Sequence, residues 1–180
     1  MKNTGFKVIA LTLLALVAAQ WLGSEAQSCQ LSGQFRGRKA PLDQCNTISD
    51  SECCKEGRMY PVDKHSPAVS SHTKAILTIN SFQKGGSGGG PSECDGQYHS
   101  DSTRIVALST GWFNHRSRCH RNIIIKGNGR SVRAMVVDEC DSNRGCANNI
   151  VDASRAVWEA LGVQPNSNKW GRMDVTWSDA

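Results

Sequence analysis

Asn122-Ile-Ile-Ile-Lys-Gly-Asn-Gly-Arg-Ser-Val-Arg-Ala-Met-Val-Val137 decides the fold class of this chain. Two runs rich in Ile and Val, Asn122 to Lys126 and Ser131 to Val137, flank Gly127-Asn-Gly-Arg130. The dipeptide Asn128-Gly129 tolerates the positive φ values of a tight hairpin turn, so the stretch reads as two antiparallel strands. Outward from it the same signature recurs. Ala75 to Asn80, Arg104 to Leu108 and Met173 to Trp177 are further strands separated by turn residues, and from about Ser70 onward the chain has the pattern of an all-β core.

One helix interrupts that pattern. Ala153, Ala156, Val157, Ala160 and Leu161 fall at helical spacing on one face, and Gly162 suits the left-handed residue that closes a helix. Asp152 is then expected as the N-cap, its carboxylate accepting a hydrogen bond from a first-turn amide. The glycine-rich stretch Lys84-Gly-Gly-Ser-Gly-Gly-Gly-Pro91 is expected to let another segment pass close by. It lacks the terminal Gly-Lys-Ser/Thr of a phosphate-binding loop.

The head of the chain is of another kind. Lys2 and Lys7 precede an apolar run from Val8 to Ala19, and Ser24 and Ala26 set small side chains before a cut expected between Ala26 and Gln27. The run is too short to span a bilayer, so residues 1–26 read as a cleaved signal peptide. The stretch 27–70 has little apolar patterning but four of the chain's eight cysteines, Cys29, Cys45, Cys53 and Cys54, and reads as a disulfide-stapled appendage. With Cys94, Cys119, Cys140 and Cys146 the even count in an exported chain favours four disulfides, whose connectivity the spacing leaves open. No cysteine pair has the two-to-four-residue spacing of a convincing zinc site, so no metal or other cofactor is expected.

Formal charge is +5, and loss of Lys2, Lys7 and Glu25 with the leader brings the mature chain near +4. That bias is too weak to indicate nucleic acid. The densest basic stretch, His115 to Arg121, is read first as a solvated loop held by Cys119 and second as a contact for an acidic partner. No Asn-x-Ser/Thr sequon occurs.

Several long motifs carry a family resemblance: Asn80-Ser-Phe82, Gly90-Pro-Ser-Glu-Cys-Asp95, Tyr98-His-Ser100, Val106-Ala-Leu-Ser-Thr-Gly-Trp112, Val136-Val-Asp-Glu-Cys-Asp141, Asn149-Ile-Val-Asp-Ala-Ser154 and Val175-Thr-Trp177. Together they closely resemble the kiwellins and ripening-related proteins of plants. The resemblance implies a six-stranded double-psi β-barrel, here over 71–180 with one main helix, behind the cysteine-rich segment 27–70. It also implies a secreted, apoplastic protein linked to ripening and defence; some kiwellins bind chorismate mutase secreted by fungal pathogens. Two family features are missing. His65-Ser66-Pro67 stands where the family has a cysteine before Ser-Pro, and no Pro-Pro-Cys insertion follows Cys146. We expect those two family cysteines to pair with each other, so that their joint absence leaves this chain balanced at eight.

Because double-psi barrels also host hydrolases, the carboxylates need weighing. Glycoside hydrolysis requires two carboxyl groups facing one sugar. Asp95, Asp101, Asp138, Asp141 and Asp152 are the candidates. By resemblance Asp152 occupies the place of an aspartate preceded by His-Phe in expansins and related hydrolases, but Ile150-Val151 precede it here. Asp138 and Asp141 are read as acceptors for loop amides. Of the aromatics, Trp158 and Trp177 are assigned to the core, and Trp112 and Phe113 are left as candidates for exposure. The reading is therefore a non-catalytic, monomeric binding module without a membrane anchor, acting on a pathogen-secreted protein such as a fungal chorismate mutase. A cell-wall polysaccharide binder is the alternative and a glycosidase the third choice. Candidate contact residues are Asn114, His115, Arg116, Arg118 and Arg121, with the glycine loop and Asp95, Tyr98 and His99.

Overall fold

The computed structural model describes residues 33–36 and 56–180. The leader with its cut site, and Cys29, Cys45, Cys53 and Cys54, lie outside the described residues. A short antiparallel pair, β1 (Gly33–Arg36) and β2 (Met59–Val62), precedes six strands that close on themselves. These are β3 (Thr73–Ile79), β4 (Ile105–Ser109), β5 (Asn122–Gly127), β6 (Arg130–Cys140), β7 (Ile150–Ala153) and β8 (Arg172–Asp179). Around the barrel the order is β3, β7, β4, β6, β5, β8. Two parallel pairs, β3 with β7 and β4 with β6, are joined side by side through the antiparallel pair β4–β7. That interlocked arrangement is the double-psi barrel the resemblance implied.

The strands form where the alternation of the sequence matches the two faces of a closed sheet. In β5 and β6, Ile123, Ile125, Val132, Ala134 and Val136 point inward and are buried, and with Leu77, Val106, Leu108, Val151, Val175 and Trp177 they fill the barrel. The turn between β5 and β6 has φ values of 49° at Asn128 and 71° at Gly129, as the Asn-Gly signal required. β6 runs three residues past Val137, and its register against β4 shifts so that Val106 faces Val136 while Ala107 faces Asp138. The residue skipped by that bulge, Val137, turns away from the barrel interior. It joins Phe82, Ile105 and Ala107 in a second small core on the outside of β4 and β6.

Three expectations are corrected. Asp152 is not a helix cap: it lies within β7, the strand the sequence reading missed, and the helix α2 (Arg155–Ala160) begins two residues later than Ala153. Ser154 stands at its N-cap position and donates instead to the Thr103 carbonyl at 2.6 Å. Trp112 and Phe113 are not exposed. They lie in the four-residue helix α1 (Thr110–Phe113), each 1 % accessible, with Trp112 Nε1 donating to the Pro67 carbonyl at 2.8 Å and its ring 5.1 Å from that of Trp177. Gly162, by contrast, closes α2 at φ 76° as expected.

Candidate functional site

Two loops that are remote in sequence meet at one place on the surface. Residues 92–103 lead into β4 and residues 114–121 lead into β5, and the Cys94–Cys119 disulfide joins them. Both are also laced to β6: the Cys94 amide donates to the Val137 carbonyl at 3.0 Å and the His120 amide to the Val136 carbonyl at 2.8 Å. The second loop bends through left-handed backbone at Asn114, His115, Arg116 and His120. Such conformations are uncommon for non-glycine residues and persist where the surroundings fix them.

The basic side chains there divide into two kinds. Arg116 reaches across to the first loop, its Nη2 donating to the Cys94 carbonyl at 2.8 Å and its Nη1 lying 3.7 Å from Glu93 Oε1. Arg118 folds back over the barrel. Its Nη1 donates to the Trp112 carbonyl at 2.6 Å, its Nε pairs with Asp179 Oδ1 at 3.1 Å, and its guanidinium sits 5.6 Å from the Trp177 ring centre. Asn114, His115 and Arg121 are exposed. In the first loop Asp95 accepts from the Gln97 amide at 3.0 Å and sits 3.2 Å from His99 Nε2, and Tyr98 between them is 39 % exposed.

The glycine loop is held by close approach rather than by a ligand. A Cβ on Gly88 would stand 2.7 Å from the Ser81 carbonyl oxygen, and Asp101 braces the same turn by accepting from Ser81 Oγ at 2.7 Å and the Phe82 amide at 2.9 Å. Phe82, which leads into this loop, roofs the small core outside β4 and β6.

Beside that core lies a feature the sequence reading did not assemble. Asp152 on β7 and Asp138 on β6 both stand opposite Ala107 of β4 and so share one outward-facing row. With Ala107 between them, their backbones are roughly 9.6 Å apart, two strand spacings. Asp152 is buried, and burial pushes its carboxyl up to about 7, opposed by Thr78 Oγ1, which donates to Oδ1 at 2.5 Å, and assisted by the charge of Asp138. Asp138 is raised as well, first by burial, while its Oδ1 accepts from the Glu93 and Glu139 amides, each at 2.8 Å. Asp141 accepts from the Asn143 amide at 2.8 Å, the loop-organising role read from sequence. An acidic residue inside the apolar run Ile150-Val-Asp-Ala153 was the available signal for the Thr78–Asp152 bond. Chemically the row offers one protonatable carboxyl with 6 % exposure, facing structure more than solvent.

Among the described residues no group of three His, Cys, Asp or Glu side chains is placed to hold a metal ion, and no helix is long and apolar enough to cross a membrane. The Cys140–Cys146 disulfide closes the exit of β6.

Comparison with known proteins completes the picture. The Kiwellin-1 family model matches residues 11–180. Ripening-related protein 3 of Oryza sativa subsp. japonica is 46 % identical over 170 residues, covering 87 % of this chain and 77 % of that one. Kiwellin of Actinidia chinensis var. chinensis is 53 % identical over 135 residues, covering 69 % of this chain and 62 % of that one. Among solved structures, the apo expansin of Clavibacter michiganensis aligns with a TM-score of 0.47 at 20 % identity, over 61 % of this chain and 50 % of that one. A Streptomyces papain inhibitor aligns with the same TM-score at 21 % identity, over 63 % and 96 %. From the family model and the identities to its relatives, the chain belongs to the kiwellin family of ripening-related proteins.

Proposed function

We propose that this chain is an exported plant defence module, a non-catalytic binder that captures a pathogen-secreted protein, a fungal chorismate mutase being the first candidate. The observation that carries the reading is the disulfide-joined loop pair. Its exposed residues Tyr98, Asn114, His115 and Arg121 are presented from backbone fixed by Cys94–Cys119, by Arg116 and by amide bonds to β6. Fixing a recognition surface before association lowers the ordering cost of binding. Export agrees with the leader and with disulfides in the barrel.

The structure's division of the basic residues shapes the test. Arg118 packs on Trp112 and Trp177, so its substitution disturbs the barrel, whereas His115, Arg121 and Tyr98 can be changed at the surface. Mature protein immobilised on resin should retain a secreted fungal chorismate mutase. The triple change Tyr98→Ala, His115→Ala and Arg121→Ala should weaken that retention by about tenfold or more, as loss of central contact residues does. Failure to retain any secreted pathogen protein sinks the reading.

A further inference from the structure

The face of the barrel opposite the roofed core carries a second candidate surface. In the ring of six strands, β8 stands across from β4, and of its outward residues Asp174 is exposed and Thr176 half-buried. Lys74 of β3 and Lys126 of β5 are both register partners of Thr176 on β8. The three side chains therefore form one outward row, with the lysine backbones roughly 9.6 Å apart, two strand spacings. Asp174, two residues before Thr176, points to the same face. These four residues, with Ala75 and Val175 between them, line a shallow groove of about 530 Å³. Lys74, Lys126 and Asp174 are exposed, and none of them has an ion-pair partner among the described residues.

We propose that this groove docks an acidic polysaccharide, a polymer of uronic acid units, by setting its carboxylates on Lys74 and Lys126 and its hydroxyls on Thr176 and Asp174. The proposal stands apart from protein capture, which uses the loops at 92–103 and 114–121. Three observations select the occupant. Two separated cations suit a chain whose negative charges recur along its length. Asp174 and Thr176 set among them suit the hydroxyl groups that each uronic acid unit carries beside its carboxylate, Asp174 accepting and Thr176 donating or accepting hydrogen bonds. Finally, the outward positions of β3, β5 and β8 are Lys74, Ile76, Thr78, Asn122, Ile124, Lys126, Arg172, Asp174, Thr176 and Ser178 in the described registers. None is aromatic, so the face lacks the stacking platforms that single-stranded nucleic acids use.

The test is affinity electrophoresis and salt elution of the full mature chain on immobilised polygalacturonate. Wild type should be retained at low salt and released as salt screens the lysines. The double variant Lys74→Gln, Lys126→Gln should bind about three- to tenfold more weakly, the loss expected for two solvent-exposed charge contacts. A control pair outside the groove and outside the contact loops, Arg144→Gln with Arg155→Gln, should elute as wild type does. Lys126→Gln alone should give an intermediate shift, which guards against misfolding of the double variant. An unchanged double variant, an equal loss in the control pair, or equal retention on single-stranded DNA would each overturn the proposal. Chorismate mutase capture by the double variant should persist, so the two readings fail separately.

Discussion

Asp152 places a carboxyl where its charged form is disfavoured. Burial raises its pKa from 3.8 to about 7, and the single bond from Thr78 only partly offsets that desolvation. In the unfolded chain the group titrates near 3.8, so between about pH 4 and pH 7 the folded protein binds the proton more tightly than the unfolded one. Stability from this group is therefore fully present below pH 3.8 and declines as pH rises toward 7. The decline is on the order of 4 kcal/mol, because each pKa unit corresponds to about 1.36 kcal/mol. An amide keeps the acceptor that Thr78 uses and removes the charge. Asp152→Asn should thus raise the urea midpoint at pH 7 and flatten the fall in stability between pH 4 and pH 7. Equal slopes for the two proteins would show that Asp152 does not titrate in this window.

At the scale of elements, the two disulfides of the barrel close loops of different length. Cys94 and Cys119 are 25 residues apart, Cys140 and Cys146 only 6. Loop-closure entropy then gives about 3.5 kcal/mol for the first and about 2 kcal/mol for the second. Replacing Cys94 and Cys119 by serine should lower stability more than replacing Cys140 and Cys146, and limited proteolysis should move to residues 85–99 and 114–121. Cleavage elsewhere in the first variant would contradict the view that this staple fixes the loop pair. Which cysteines pair was not legible, because spacing along the chain does not report distance across a closed barrel. The β5–β6 hairpin was legible because alternation and Asn-Gly both act locally. β7 was not: Ile150, Val151, Asp152 and Ala153 are all buried, one face by the barrel interior and the other by the packing outside, so no polar alternation marks them as a strand. The same covering made Asp152 resemble a cap. Trp112 and Phe113 were misplaced for a related reason, since one turn of helix after β4 folds them back onto the core and four residues carry no periodicity. The loop surface was legible only as composition, and its division into the braced Arg116 and Arg118 and the exposed Arg121 required the fold.

At the scale of the whole molecule, the segment before the barrel is tied to it at the places where the family resemblance implies two further cysteines. Asn148 Nδ2 donates to Asp63 Oδ2 at 2.6 Å, which brings the chain two residues before His65 against the chain two residues after Cys146. A Cβ on Gly111 would strike the Ser66 amide nitrogen, so the same segment also lies flat on α1. Cysteines at the two altered positions would therefore lie in neighbouring stretches of backbone, as expected of partners. The resemblance implies that those two cysteines pair with each other, so their joint absence would strand no thiol; in this chain a hydrogen bond to a charged group, worth about 1.5–3 kcal/mol, spans the junction. The eight cysteines present should accordingly be consumed in pairs: Cys94 with Cys119, Cys140 with Cys146, and the remaining four among themselves. Mature protein unfolded in guanidinium without reductant should then give no reaction with a thiol reagent and eight equivalents after reduction. Two free thiols before reduction would mean that the missing residues each left a partner behind, and that the two losses were independent.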